Sequence, residues 1–218
     1  MKKTYITALS LLATAGAAFA GGGGPEYQVT VDYIPFNVGG ARGESPRNIT
    51  IDVRSVEATQ DGPWYGVDLN DDGEIAFIDS YIYLFKASPV RGKVGEMLAF
   101  NDDSFENGFG DGSLYGFDSY LSLDLLPGQY VLAISAYSMS EEEARTGINF
   151  VSQGPYTLAT NPAEDWSFSD HGDYSVRISD SFRGSTILQT DGTIFVVPAP
   201  AAIGLVGVAG LAMARRRR

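Results

Sequence analysis

Between Pro25 and Val197 the apolar residues recur at a spacing of two, or in short unbroken runs. No long stretch repeats them at the interval of an amphipathic helix. The runs occupy 27–31, 49–56, 80–85, 97–100, 120–125, 130–136, 156–159, 174–178 and 193–197, and clusters of Gly, Pro, Asn, Asp and Ser separate them. Many short strands punctuated in this way predict an all-β sandwich of antiparallel strands. Residues 140–145 form the one plausible helical turn: Ser140 is placed to cap it, and Glu141, Glu142 and Glu143 lie near the positive end of its dipole. The pattern reads it as a loop excursion between two strands.

Three of the strands open with Gly-x-Tyr, at Gly128, Gly154 and Gly172. The first lies in Leu125-Leu126-Pro127-Gly128-Gln129-Tyr130, the spacing of a tyrosine corner, in which the phenol bonds back to nearby backbone and fixes a Greek-key crossover. A second echo pairs Asp79-Ser80-Tyr81-Ile82-Tyr83-Leu84 with Asp118-Ser119-Tyr120-Leu121-Ser122-Leu123. In each an acidic turn feeds a strand, and the repetition reflects either pseudo-symmetric placement in two sheets or chance.

The two ends are of different character. Lys2 and Lys3, the apolar stretch from Ile6 to Ala18 and the small-x-small triplet Ala18-Phe19-Ala20 read as a secretory signal over 1–20, cleaved before Gly21. A Gly-rich linker, 21–26, follows. At the other end Val197-Pro198-Ala199-Pro200 leads into an apolar run ending at Ala214, and four arginines, Arg215 to Arg218, close the sequence. The run is shorter than the roughly 20 residues that span a bilayer core, and the arginines would hold its end on the cytoplasmic side. The order of Pro-containing motif, short apolar helix and basic tail over 197–218 resembles the bacterial PEP-CTERM sorting signal, with Ala199 where that family's motif has Glu. The resemblance implies an exosortase-type membrane enzyme as partner, which removes the helix on the way to the cell surface or an extracellular polymer matrix. A permanent membrane anchor is the plainer alternative.

Composition narrows the rest. The 218 residues contain 27 acids, 15 Lys and Arg, one His and no Cys, which excludes a disulfide scaffold and a Cys-based zinc site. So acidic a chain is not built to displace counterions from nucleic acid. The two removable ends hold six of the basic residues and no acid, so the processed part keeps nine cations against 27 acids, a net charge of −18. Self-repulsion of that size destabilises a compact state, and divalent cations would relieve it.

Four segments in order are Asp79-Ser80-Tyr81-Ile82-Tyr83-Leu84-Phe85, Phe100-Asn101-Asp102-Asp103, Asp118-Ser119-Tyr120-Leu121-Ser122-Leu123, and Leu126 to Ser135. They are similar to the bacterial pre-peptidase C-terminal domain and its relatives in PEP-CTERM proteins, over about half of the chain, from 68 to 179. That resemblance implies a secreted, jelly-roll-like β-sandwich spanning 27–196, with calcium and polymer binding among its members. No protease domain accompanies it here.

The sharpest candidate chemistry is Asp68-Leu69-Asn70-Asp71-Asp72-Gly73-Glu74-Ile75-Ala76-Phe77-Ile78-Asp79. It follows the template of a calcium loop, with oxygen ligands at positions 1, 3 and 5, Gly at 6, a carbonyl at 7 and an acid at 12. Asp68, Asn70, Asp72, the Glu74 carbonyl and Asp79 would supply most of the six to eight hard oxygens that Ca²⁺ takes. Asp at position 12 and the β-rich flanks set it apart from a helix-loop-helix; a solvated turn is the alternative. Asn101, Asp102 and Asp103 with Asp118 form a second acidic cluster where interstrand loops meet in the related fold. The single imidazole, His171, sits between Asp170 and Asp173 without a Gly-x-Ser-x-Gly elbow, and reads as structural. Trp64, Tyr65, Trp166 and Phe168 lie in predicted loops beside acids, and 106–116 reads as a long Gly-rich loop. These features predict an exported, non-enzymatic, calcium-stabilised β-sandwich of the envelope or exopolymer. A carbohydrate-binding or adhesive module is the first alternative, and a small hydrolase the second.

Overall fold

Alternation along the strands decides which residues face inward. In β3 (Arg47–Arg54), Ile49, Ile51 and Val53 are buried while Thr50, Asp52 and Arg54 point away from them. In β2 (Asp32–Val38), Ile34, Phe36 and Val38 do the same, with Tyr33, Pro35 and Asn37 on the exposed side. The computed structural model describes residues 27–41, 44–57, 68–70, 76–104, 116–151, 158–160, 167–168, 170–181 and 183–197, all within the unit Gly23–Ala199. The signal, the Gly linker and residues 198–218 lie outside the described residues.

The remaining elements are β1 (Tyr27–Thr30), β4 (Ala76–Ile78), β5 (Ser80–Ala87), β6 (Val94–Asn101), β7 (Tyr120–Leu125), β8 (Gly128–Ala136), α1 (Glu141–Thr146), β9 (Ile148–Val151), β10 (Leu158–Thr160), β11 (Ser167–Phe168), β12 (His171–Asp180) and β13 (Ser185–Val197). The fold is all-β and antiparallel, as expected. One sheet has the order β7-β3-β12-β13-β1-β9, a second β2-β8-β5-β6 and a small third β11-β10-β4. The two large sheets contribute to one apolar core: Val29, Ile49, Ile51, Val176 and Ile178 from the first meet Ile34, Ile82, Leu84, Leu132 and Ile134 from the second.

Strands β5 and β8 are buried on both faces, because a second cluster of Val31, Tyr83, Phe85, Ala133, Met139 and Ala144 covers the outer side of their sheet. Its lid is α1. The sequence reading of a loop excursion at 140–145 is corrected here: the segment is a helix with a complete capping box, in which Glu143 N–H donates to Ser140 Oγ and Ser140 N–H donates to the Glu143 carboxylate at 2.7 Å. Tyr33 Oη donates to Ala144 O at 2.7 Å, and the Arg145 guanidinium lies 4.8 Å over the Phe85 ring, so tertiary contacts hold the six-residue helix.

Two Gly-x-Tyr strands show why tyrosine recurs. Tyr130 Oη donates to Leu126 O at 2.6 Å, which is the tyrosine corner. Tyr174 lies across from Gly192 on β13, where any Cβ would collide with its ring, and its hydroxyl donates to Asp32 Oδ2 at 2.8 Å. Four strands escaped the pattern: β2, β4, β9 and β11. β2 carries Pro35, and as an edge strand it tolerates the missing N–H without loss to the ladder.

Candidate cation site at the junction of the sheets

The Asp-Ser-Tyr echo marks the place where strands of the two large sheets begin side by side. Asp79 precedes and Ser80 opens β5 in one sheet; Asp118 and Ser119 precede β7 in the other. The buried serines meet directly. Their hydroxyl oxygens are 2.9 Å apart, Ser119 N–H donates to Ser80 Oγ at 3.0 Å, and Ser119 Oγ is 2.6 Å from Ser80 O and 2.9 Å from Asp102 O. Short hydroxyls serve here because each can donate and accept within a space too small for a longer polar side chain.

The 101–103 loop enters through Asn101. Its Oδ1 accepts from Tyr120 N–H at 2.8 Å, and its Nδ2 donates to Asp103 O at 3.1 Å. Asp102 Oδ1 accepts from Asp103 N–H at 2.9 Å. Asp118, 2% exposed, accepts from both Ser55 N–H at 2.7 Å and Ser55 Oγ at 3.1 Å, which ties β7 to the end of β3. Nearby chain is held by Glu57, fully buried, whose carboxylate accepts from Leu69 N–H at 2.6 Å.

Asp79 is the anomalous group. Burial pushes its carboxyl up to about 7 from 3.8, and the Asp103 and Asp102 charges add to the shift. Its Oδ1 is buried with no hydrogen-bond partner. An ionised carboxylate so placed is costly unless a proton or a cation accompanies it. At this corner one carboxylate oxygen, Asp79 Oδ1, is left for a proton or a cation, with the Asp103 and Asp102 charges near enough to raise the Asp79 pKa.

The structure thus regroups the residues that the sequence had placed in two clusters. Asp79, position 12 of the 68–79 loop, feels Asp102 and Asp103 of the second cluster. Asp68 and Asn70 sit half-buried at the Glu57 contact, while Asp72 and Glu74 lie outside the described residues. Among the described residues, no three His, Asp or Glu side chains are grouped as a metal-holding set. The buried pins Ser55, Glu57, Ser80 and Ser119 were not singled out from the sequence, although the Asp-Ser-Tyr echo contained two of them.

The other leads fall elsewhere. His171 lies on β12 with Nδ1 2.8 Å from Asp170 Oδ1 and its ring 6.3 Å from that of Phe195. Trp64, Tyr65, Trp166 and residues 106–115 are outside the described residues, and Phe168 is described only as backbone of β11. An aromatic surface absent from the expectations lies on β5 and β6. Phe100, 55% exposed, is 6.2 Å from Tyr81 with an interplanar angle of 5°, and 5.6 Å from Tyr83; Tyr137 is 6.2 Å from Tyr81. Compared with protein-family models, curated proteins and solved structures, the chain finds no match.

Proposed function

We propose that this is an exported, non-enzymatic β-sandwich of Greek-key, jelly-roll-like topology, stiffened by Ca²⁺ at the sheet junction and serving a structural or interaction role in the cell envelope or extracellular polymer. The resemblance of 197–218 to a PEP-CTERM signal supports surface or matrix sorting by an exosortase-type enzyme, with transient membrane attachment through the apolar run. The resemblance of 68–179 to the pre-peptidase C-terminal domain supports the sandwich and the ion.

One observation carries the calcium reading: the buried Asp79 carboxyl has an orphaned Oδ1 beside Asp102 and Asp103. Asp79 would ligate the ion, with the Asp102 and Asp103 charges adding attraction, and the ion would supply charge compensation and no reaction step. Calcium titration followed by thermal melting tests it. Binding to the native state alone stabilises by about 2.7 kcal/mol at a hundredfold excess over Kd, and Asp79→Asn should abolish the gain. Melting that is identical in millimolar calcium and in chelator removes the ion from the account. Sorting is tested separately by deleting Arg215 to Arg218, with loss of surface delivery as the expected result.

The Phe100 surface favours a second reading, a carbohydrate-binding module. Sugar rings stack on exposed aromatic faces, and Phe100 and Tyr81 are almost parallel with Asp102 two residues beyond Phe100. Retention on an insoluble polysaccharide that Phe100→Ala abolishes would establish it.

A further inference from the structure

We infer that the outer face of β9, β1 and the end of β13 is a membrane-contact surface that rests on the lipid headgroups while the apolar C-terminal run is in a bilayer. The inference rests on the membrane-attachment part of the reading above. Pairing of β1 with β13 sets Gln28 across from Val197 and Val29 across from Val196, and pairing of β1 with β9 sets Gln28 across from Phe150. Val29, Asn149, Val151 and Ile194 face the buried side, so Phe150, Gln28, Phe195 and Val197 share the other face. Phe195 is 54% exposed and Phe150 41% exposed. With strands about 4.8 Å apart, the Phe150 and Val197 backbones stand roughly 10 Å from each other, on either side of Gln28, and Phe195 lies two residues along β13 from Val197 on the same face.

The chain leaving this corner determines what covers it. Only Pro198, Ala199 and Pro200 separate Val197 from the apolar run that begins at Ala201. Extended chain gains at most about 3.6 Å per residue, so Ala201 lies within about 14 Å of Val197. The headgroup layer on each side of the hydrocarbon is roughly 5 to 8 Å deep. Insertion of the run at Ala201 therefore keeps the end of β13 at or just above headgroup depth. The opposite face of these strands is already covered by the core, which leaves the Phe150 and Phe195 rings to meet the lipid. Gln28 and Val197 are cross-strand partners, so β1 begins at the same corner.

The chain has no cysteine, which allows single-site labelling. Phe195→Cys, Phe150→Cys and, at the turn beside the opposite edge strand β7, Leu126→Cys would each carry an environment-sensitive fluorophore in the full chain mixed with phosphatidylcholine vesicles. Leu126 is 56% exposed and serves as the water-facing control. Flotation reports insertion of the run; spin-labelled lipid reports contact by the face. The expected result is flotation of all three proteins, with a blue shift and quenching by the spin-labelled lipid at 195 and 150 and no change at 126. Flotation with 195 and 150 behaving like 126 overturns the contact surface and leaves the anchor intact. Failure to float overturns the anchor and the contact with it. A blue shift at 195 without lipid, in a species of twice the mass, assigns the face to a second copy and likewise overturns the proposal.

Discussion

At neutral pH the Asp79 carboxyl is poised between its two forms, and its environment makes that matter for stability. Its proton is held more tightly in the folded chain, about 7 against 3.8, by burial first and by Asp103 and Asp102 second. The stability linked to that proton is full below about pH 4 and is lost as pH rises through about 7. At about 1.4 kcal/mol per pH unit, the loss in metal-free protein is at most about 4 kcal/mol. Melting in chelator from pH 4 to pH 8 should show this decline, calcium should reverse it, and Asp79→Asn should flatten it. A decline unchanged by that substitution would place its origin in other carboxylates. Ser119→Ala, which removes the hydroxyl contacts to Ser80 O and Asp102 O, should cost about 1–3 kcal/mol, read as a lower urea midpoint at unchanged slope.

Strands in this protein were legible as alternation, as in β3 and β12, or as short unbroken apolar runs, as in β5 and β8; β2 alternates as cleanly and was still missed. Ile49, Ile51 and Val53 in β3, and Val176 and Ile178 in β12, alternate as the pleat requires. The two-residue β11 and three-residue β4 are too short to show a period. Likewise, β4 sits inside the segment whose spacing spelled a calcium loop, and Ile78 there is a fully buried core residue. The tyrosine corner was readable because its donor and acceptor are four residues apart, a distance set by the turn itself. Tyr130→Phe keeps the ring against Phe36, 5.6 Å away, and removes only that bond, so a loss of about 1 kcal/mol is expected from denaturant titration. A much larger loss would show that the crossover depends on the hydroxyl.

For the molecule as a whole, charge is the dominant bulk property. With 27 acids against 15 basic residues, the chain carries a net charge of −12, and screening of its self-repulsion stabilises the fold. Raising NaCl from about 10 mM to about 500 mM should raise the melting temperature by relieving long-range repulsion. Calcium at matched ionic strength should raise it further if the junction binds the ion. Equal effects of the two salts would reduce the calcium response to screening.

Local periodicity and turn chemistry determined the all-β antiparallel fold, the tyrosine corner and the acidity of the strand ends, because each depends on residues a few positions apart. The sequence also displayed the Asp79 and Asp118 echo without assigning it a place. Only tertiary structure brought Asp79 beside Asp102 and Asp103, locked Ser80 against Ser119, and placed Phe150, Phe195 and the end of β13 on one face. Those neighbours are set by which strands pair and how two sheets close on a common core, and closure between distant segments leaves no period in the chain to read.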